Sequence, residues 1–215
     1  MKIQADALLF DNDGTLISSL ESVYRCWKRW AEEYGITAEE FARVELHGRP
    51  AAEIAADLLP PAEVAEAVAR IEELEVSDVP GGVDLLPGTR ELLASLPMDR
   101  WAVVTSATRV LAEARLAEVG IRPGLLIAAD DITRGKPDPE PFLLAAGKLG
   151  AAPARCVVFE DAPAGLQAGR AAGMITVALA TTHDRAELSA DFLVKDLSAV
   201  SAQAMAGAVE ITVTG

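Results

Sequence analysis

Four short stretches of this 215-residue chain gather side chains that can hold a cation, bind an anion or move a proton. The first is Asp11-Asn12-Asp13-Gly14-Thr15-Leu16, which sets two carboxylates two residues apart directly after an apolar run, Ala7 to Phe10. Carboxylates crowded at a buried strand end disfavour each other's ionisation unless a positive charge stands among them, and a divalent cation meets that need. Gly14 and Thr15 suit a tight turn whose amides face an anion. Thr105-Ser106 follows Trp101 to Val104 and offers hydroxyl and amide donors. Lys136, in RGKPDPEPF, precedes Pro137 and so favours an extended backbone, with Asp138 placed to cap a helix from Pro139. Glu160-Asp161 closes the run CVVF just before a helical stretch.

Each stretch has a plainer reading by itself. DNDG can be an acidic turn, Thr105 or Ser106 a helix N-cap, Lys136 a solvated surface charge, and Glu160-Asp161 a complement to a helix dipole. Together they deliver carboxylates, a hydroxyl, an ammonium and further carboxylates to successive strand ends of one sheet. Hard oxygen donors with room for water and a phosphate oxygen describe a Mg²⁺ site.

The elements that must position these groups alternate in texture. Apolar runs at Ala7 to Phe10, Trp101 to Thr105, Leu125 to Ala128, Cys156 to Phe159 and Ile175 to Leu179 read as strands, and helical patterns separate the middle three. That repetition predicts parallel strands with right-handed crossovers, an α/β doubly wound sheet whose chemistry gathers beyond the carboxyl ends of the strands. Residues 17 to about 80 differ, with no convincing strand. Val23, Trp27, Trp30 and Tyr34 recur at helical spacing, Thr37 can cap AEEFARVEL, and Pro60-Pro61 precedes another helical run. The expectation is an all-helical insertion over 17–83 between core segments 1–16 and 84–215, with Gly81-Gly82 in a hinge-like exit.

Composition bounds the partners. A net charge of −14 disfavours a nucleic-acid partner or an anionic membrane surface. With 51% apolar residues the chain can bury a proper core, yet no stretch is long and apolar enough to span a bilayer. The N-terminus resembles neither signal nor transit peptide. Cys26 and Cys156 have no metal-ligand spacing and read as buried thiols, so a cytoplasmic protein, monomeric or weakly dimeric, is expected.

DNDGTL, VVTSAT, GKPDPEPF and VVFEDAPAG together resemble the four successive motifs of the haloacid dehalogenase superfamily, in the phosphatase branch that carries a helical cap after the first motif. WAVVTS, KPDPEPF and EDAPAG are further similar to phosphatases of hexitol, deoxyhexose and glycerol phosphates, as are His47-Gly48-Arg49 and the closing ITVT. The resemblance implies Asp11 as nucleophile, Asp13 as general acid and base, Thr105 with Ser106 and Ala107 as phosphoryl-binding groups, and Lys136 as the neutralising cation. It implies Mg²⁺ held by Asp11, the Asp13 carbonyl and Asp161, with Glu160 directly or one layer behind. Phosphoryl transfer fits such a set because it asks for positioning and charge neutralisation above all.

An acid at Asp13 favours a phosphate ester over a halide, which leaves without a proton. Where the family often has Asp two residues after the motif Leu, this chain has Ser18, which is expected to cap the first insertion helix. Thr105 and Ser106 stand as alternatives for the key hydroxyl. His47 and Arg49 stand between surface residues and substrate ligands, Arg49 being suited to oxyanion or hydroxyl recognition. The leading expectation is a Mg²⁺-dependent phosphatase of small phosphorylated sugars or polyols. A hexose-phosphate mutase of the β-phosphoglucomutase kind is the alternative, and a catalytically silent binding protein on the same fold is a third reading.

Overall fold

The computed structural model describes residues 1–44, 46 and 49–214. The chain opens with β1 (Lys2–Ala5), β2 (Ala7–Phe10) and a two-residue β3 (Ile17–Ser18). Four helices follow, α1 (Leu20–Glu33), α2 (Ala38–Phe41), α3 (Ala51–Leu58) and α4 (Pro61–Asp78), before β4 (Asp84–Leu85) returns the chain to pair antiparallel with β3. Alternation then resumes with α5 (Thr89–Ala94), β5 (Trp101–Val104), α6 (Arg109–Glu118), β6 (Leu126–Ile127), α7 (Glu140–Lys148), β7 (Cys156–Glu160), α8 (Pro163–Ala171), β8 (Ile175–Leu179) and β9 (Phe192–Val194). β10 (Val200–Met205) and β11 (Ala208–Val213) close the chain.

Six strands form one parallel sheet in the order β6-β5-β2-β7-β8-β9. β2 is central and fully buried, as expected for a parallel strand covered on both faces. Its alternation sends Leu8 and Phe10 into one apolar layer and Ala7 and Leu9 into the other. Phe10 stacks on Phe159 of the neighbouring strand with ring centroids 4.7 Å apart. From β2 the order runs outward through β5 and β6 on one side and through β7, β8 and β9 on the other. The point where it reverses is the crevice that sheets of this kind offer to ligands.

The four helices hold a core of their own built on Cys26, Trp27, Trp30, Phe41, Ile54 and Ile71. α1 forms because the Val23, Trp27, Trp30 stripe faces inward, with Tyr34 packed beyond its end. Trp30 is fully buried and its Nε1 donates to the Ala67 carbonyl of α4 at 2.8 Å. Thr37 caps α2 in a reciprocal box with Glu40, as its sequence predicts, although the helix stops at Phe41. Both cysteines are buried and free, and among the described residues no helix is long and apolar enough to cross a membrane.

Several elements depart from the expectation. Ile17–Ser18 is a strand, so Ser18 does not cap α1; Ser19 occupies that position and turns its hydroxyl to Asp13. β9 and the antiparallel sheet β1-β11-β10 were not anticipated, although Ala208–Val213 alternates between buried and less buried residues as a half-covered strand should. Lys136 lies well past the end of β6, on a loop rather than at a strand end. α7 begins at Glu140, with Asp138 Oδ1 accepting from the Glu140 amide at 2.9 Å.

The indole bond joins two insertion helices inside an otherwise apolar core. Trp30→Phe is expected to lower stability by about 1–2 kcal/mol, read as an earlier urea midpoint. An unchanged midpoint would contradict this role for the bond.

Candidate active site

β5, β2 and β7 lie side by side, so their carboxyl ends bring Thr105, Asp11 and Glu160 to one crevice. The Asp11 amide donates to the Phe159 carbonyl at 3.0 Å and the Thr105 amide to the Ile127 carbonyl at 2.9 Å. Both residues are therefore fixed by continuation of the sheet ladder. Asp11, Thr105, Lys136, Glu160 and Asp161 are all buried.

Lys136 enters from residues 128–139. Glu140 accepts the Thr133 amide at 2.7 Å and the Arg134 amide at 3.2 Å, which ties the loop to the first turn of α7. The Asp and Glu of KPDPEPF thus shape the turn that delivers the lysine. Its Nζ donates to Asp11 Oδ1 at 2.6 Å, Glu160 Oε1 at 2.7 Å and the Val104 carbonyl at 2.9 Å, and lies 5.3 Å from the centroid of the Phe142 ring. Burial alone would disfavour the ammonium, but the Asp11 and Glu160 carboxylates outweigh it and raise the Lys136 pKa above its ordinary value. The lysine is a fixed cation.

Oxygens of Asp11, Glu160 and Asp161 lie within 4.8 Å of one another. Burial raises Asp11 well above the ordinary carboxylate range; Lys136 opposes this, while Glu160 and Asp161 add to it. Asp161 is pushed up to about 7, chiefly by burial and then by Glu160. Three buried carboxylates against one ammonium form a donor set that fits a hard divalent cation. Glu160 is also engaged elsewhere, since Oε2 accepts the Asp161 and Ala162 amides at 3.0 and 2.9 Å while Oε1 receives Lys136. Asp161 accepts from Thr15 Oγ1 at 3.3 Å and from the Thr182 hydroxyl. Two glycines make room. A side chain on Gly14, which sits at φ 92°, would overlap Asp161, and one on Gly165 would overlap the Glu160 carboxylate.

Thr105 Oγ1 accepts the Ala107 amide at 3.1 Å, which leaves its own proton to donate. Ser106 and Ala107 line the same cavity. Asp13 is turned differently. Its Oδ1 accepts from Ser19 Oγ at 2.6 Å and from Arg115 at 2.9 Å, and its Oδ2 from Asn12 at 3.2 Å. Arg115 also donates to Glu75 of α4 at 3.2 Å. Glu75 rises to about 7 through burial, which Arg115 opposes and Asp13 and Glu72 reinforce.

The cavity between sheet and insertion encloses about 240 Å³. Asp11, Asp13, Thr105 and Asp161 lie at its base, and Trp27, Ile54, Val68 and Ile71 line the helical side with Glu72 and Arg49. Thr108 donates to Glu72 at 2.7 Å across the gap. Arg49 pairs with Asp57 at 2.8 Å and Glu53 at 3.8 Å while bordering the cavity. His47 lies outside the described residues.

Sequence reasoning passed over Ser19, Glu75, Arg115 and Thr182. Two of them carried a signal: the buried face of α6 reads Leu111, Ala112, Arg115, Leu116, and that of α4 reads Ala67, Ile71, Leu74, Glu75. Opposite charges each sit on an apolar stripe, where an unpaired charge is costly.

The sequence matches the family model of haloacid dehalogenase-like hydrolases over residues 5–173. It is 37% identical to hexitol phosphatase A of Escherichia coli strain K12, over 87% of this chain and 88% of that protein. It is 40% identical to validoxylamine A 7'-phosphate phosphatase of Streptomyces hygroscopicus subsp. limoneus, over 89% of this chain and 94% of that protein. Among solved structures, CbbY from Rhodobacter sphaeroides in complex with phosphate superposes with a TM-score of 0.78 at 26% identity, over 90% of this chain and 95% of that one.

The Glu75 carboxyl gives a pH signature. With a folded-state value of about 7 against an ordinary 4.5, the folded protein holds this proton after the unfolded chain has released it, so stability falls as pH rises between those values and levels off above. Across that window the wild type is expected to lose on the order of 3 kcal/mol more than Glu75→Gln, measured as urea unfolding free energies. Parallel pH curves for the two proteins would contradict this environment for Glu75.

Proposed function

The chain belongs to the haloacid dehalogenase-like hydrolase family, and on that premise we propose that it hydrolyses phosphate monoesters of small sugars or polyols through an aspartyl phosphate on Asp11. The observation that carries the reading is the buried Lys136 ammonium 2.6 Å from Oδ1 of Asp11, which lines a cavity together with Asp13, Thr105 and Asp161.

Asp11 attacks phosphorus with the oxygen that Lys136 does not hold. The Asp11 O–P bond forms as the bond from phosphorus to the leaving oxygen breaks, and Asp13 gives its proton to that oxygen. Asp13, now a carboxylate, takes a proton from the water that attacks the phosphoryl group; the Asp11 O–P bond breaks and inorganic phosphate leaves. Thr105 donates its hydroxyl hydrogen to a phosphoryl oxygen, with Ser106 beside it. Lys136 balances negative charge on Asp11 and on the transferring group. Asp11, Asp161 and the Asp13 carbonyl would hold Mg²⁺, with Glu160 behind them. Bound there, the ion supplies electrostatic stabilisation of the phosphoryl oxygens.

Residues 17–83 act in this reading as a cap that selects the leaving group. The cavity, about 240 Å³, falls below the about 300–1,000 Å³ usual for drug-sized ligands, which suits a small phosphorylated metabolite. The two relatives' names, a hexitol phosphatase and a validoxylamine 7'-phosphate phosphatase, point to polyhydroxylated leaving groups. Trp27 and Ile71 suit a carbon skeleton, Glu72 accepts hydroxyl protons, and Arg49 serves as a further hydroxyl or oxyanion ligand. Cytoplasmic residence belongs to the same proposal, supported by two buried free thiols.

Purified enzyme with Mg²⁺ is expected to release one phosphate per sugar phosphate consumed with no bisphosphate activator, and Asp11→Asn is expected to abolish turnover. Isomerised sugar phosphate without phosphate release would establish the mutase alternative. Absence of Mg²⁺-dependent turnover over a panel of sugar, polyol and aryl phosphates would return the chain to a binding role.

A further inference from the structure

We propose that Arg115 is a positioning residue for the Asp13 carboxyl group, and that Glu75 of the helical insertion sets the geometry of its grip. The inference rests on the reading of Asp13 as general acid and base.

Arg115 is placed where a charge is hard to justify by packing. It lies on the apolar stripe of α6 between Leu111 and Leu116 and is only 4% exposed. A buried guanidinium is costly unless it is paired and hydrogen-bonded. Its Nε has no hydrogen-bond partner among the described residues, so the pairing falls on the two terminal nitrogens. One meets Asp13 Oδ1 at 2.9 Å and the other meets Glu75 Oε1 at 3.2 Å. These partners come from different parts of the chain, the loop after β2 and helix α4.

The split grip matters chemically. A guanidinium facing one carboxylate tends to bind both of its oxygens in a fork. Both Asp13 oxygens would then be occupied by the guanidinium, leaving neither turned to a leaving oxygen. Glu75 takes the second nitrogen, so Arg115 bonds Oδ1 alone. Ser19 donates to that same oxygen at 2.6 Å. Two donors on Oδ1 fix the orientation of the carboxyl group, and Oδ2, which accepts only the longer Asn12 contact at 3.2 Å, is the oxygen left to carry the transferable proton. Because Glu75 belongs to the insertion, this arrangement is complete only when α4 is seated against α6. Thr108–Glu72 at 2.7 Å lies along the same seam.

The test separates positioning of an acid from plain structural support. With Mg²⁺ present, kcat/KM reports the steps through departure of the leaving group, which an alkoxide makes only with a proton and p-nitrophenolate makes without one. It is measured for glycerol phosphate and p-nitrophenyl phosphate with wild type, Asp13→Asn, Arg115→Met, Arg115→Lys, Glu75→Ala and Glu75→Gln. General acid catalysis is typically worth about 10²–10⁴-fold. Asp13→Asn is expected to lose that much on the alkyl ester and far less on the aryl ester. Arg115→Met and Glu75→Ala are expected to lose roughly 10–100-fold on the alkyl ester, with an aryl loss at least about ten times smaller. Arg115→Lys, which keeps one donor, and Glu75→Gln, which keeps the acceptor, are expected to recover part of the difference.

Equal losses on both esters in the Arg115 and Glu75 variants, with Asp13→Asn still selective, would overturn the inference and leave the role of Asp13 standing. Equal losses in Asp13→Asn would overturn both. If Arg115→Met does not fold, Arg115→Lys and Glu75→Ala carry the comparison.

Discussion

A single buried ammonium holds the crevice together. Lys136 stands between Asp11 and Glu160 at 2.6 and 2.7 Å, with the Val104 carbonyl as third acceptor, and each neighbouring element can be understood as a means of putting it there. The turn braced by Asp138 and Glu140 delivers it. Gly165 lets the Glu160 carboxylate occupy the first turn of α8, and the Asp161 and Ala162 amides lock the far side of that carboxylate. Removing one member of such a set would leave an uncompensated buried charge, far more costly than the modest net value of an intact pair. The arrangement is therefore over-determined by its partners.

Sheet and insertion each bury a core of their own and meet both through apolar contacts of Val76, Val79 and Val83 with the sheet's core and through polar bonds near the cavity. The polar part of the contact includes Thr108 to Glu72, Arg115 to Glu75 and the Gly81 amide to Glu118 at 3.0 Å. Gly81 sits at φ 71°, a conformation that glycine adopts without steric cost. In the proposed reading the reacting groups sit on the parallel sheet, while the surface that faces a leaving group belongs to separately packed helices.

Much of this was legible in the sequence, for identifiable reasons. Parallel strands buried on both faces read as short apolar runs, so ALLF, WAVVT and CVVF marked the strands, and the residues at or just after their ends marked the crevice. The helical insertion was visible in the Trp27, Trp30, Tyr34 spacing. Lys136 was found through its motif, while its route was not, because a loop leaves no periodic trace. β10 was hard to read because VSAQAM is mostly exposed and carries little apolar pattern. Arg115 and Glu75 were open to discovery: each breaks an otherwise apolar stripe, and opposite charges on two such stripes imply that the faces meet.

The acidity of the chain, −14 overall, coexists with a site for an anion because recognition is decided over a few ångströms. With the three carboxylates ionised, Asp11, Glu160 and Asp161 exceed Lys136 by two negative charges, so in the proposed reading the crevice disfavours phosphate until a divalent cation cancels that excess. Calorimetric titration of inorganic phosphate into the wild-type protein, with Mg²⁺ and in EDTA, tests that claim most directly. The account predicts binding with Mg²⁺ and an affinity on the order of a hundredfold weaker without it; equal affinities in the two conditions would contradict it.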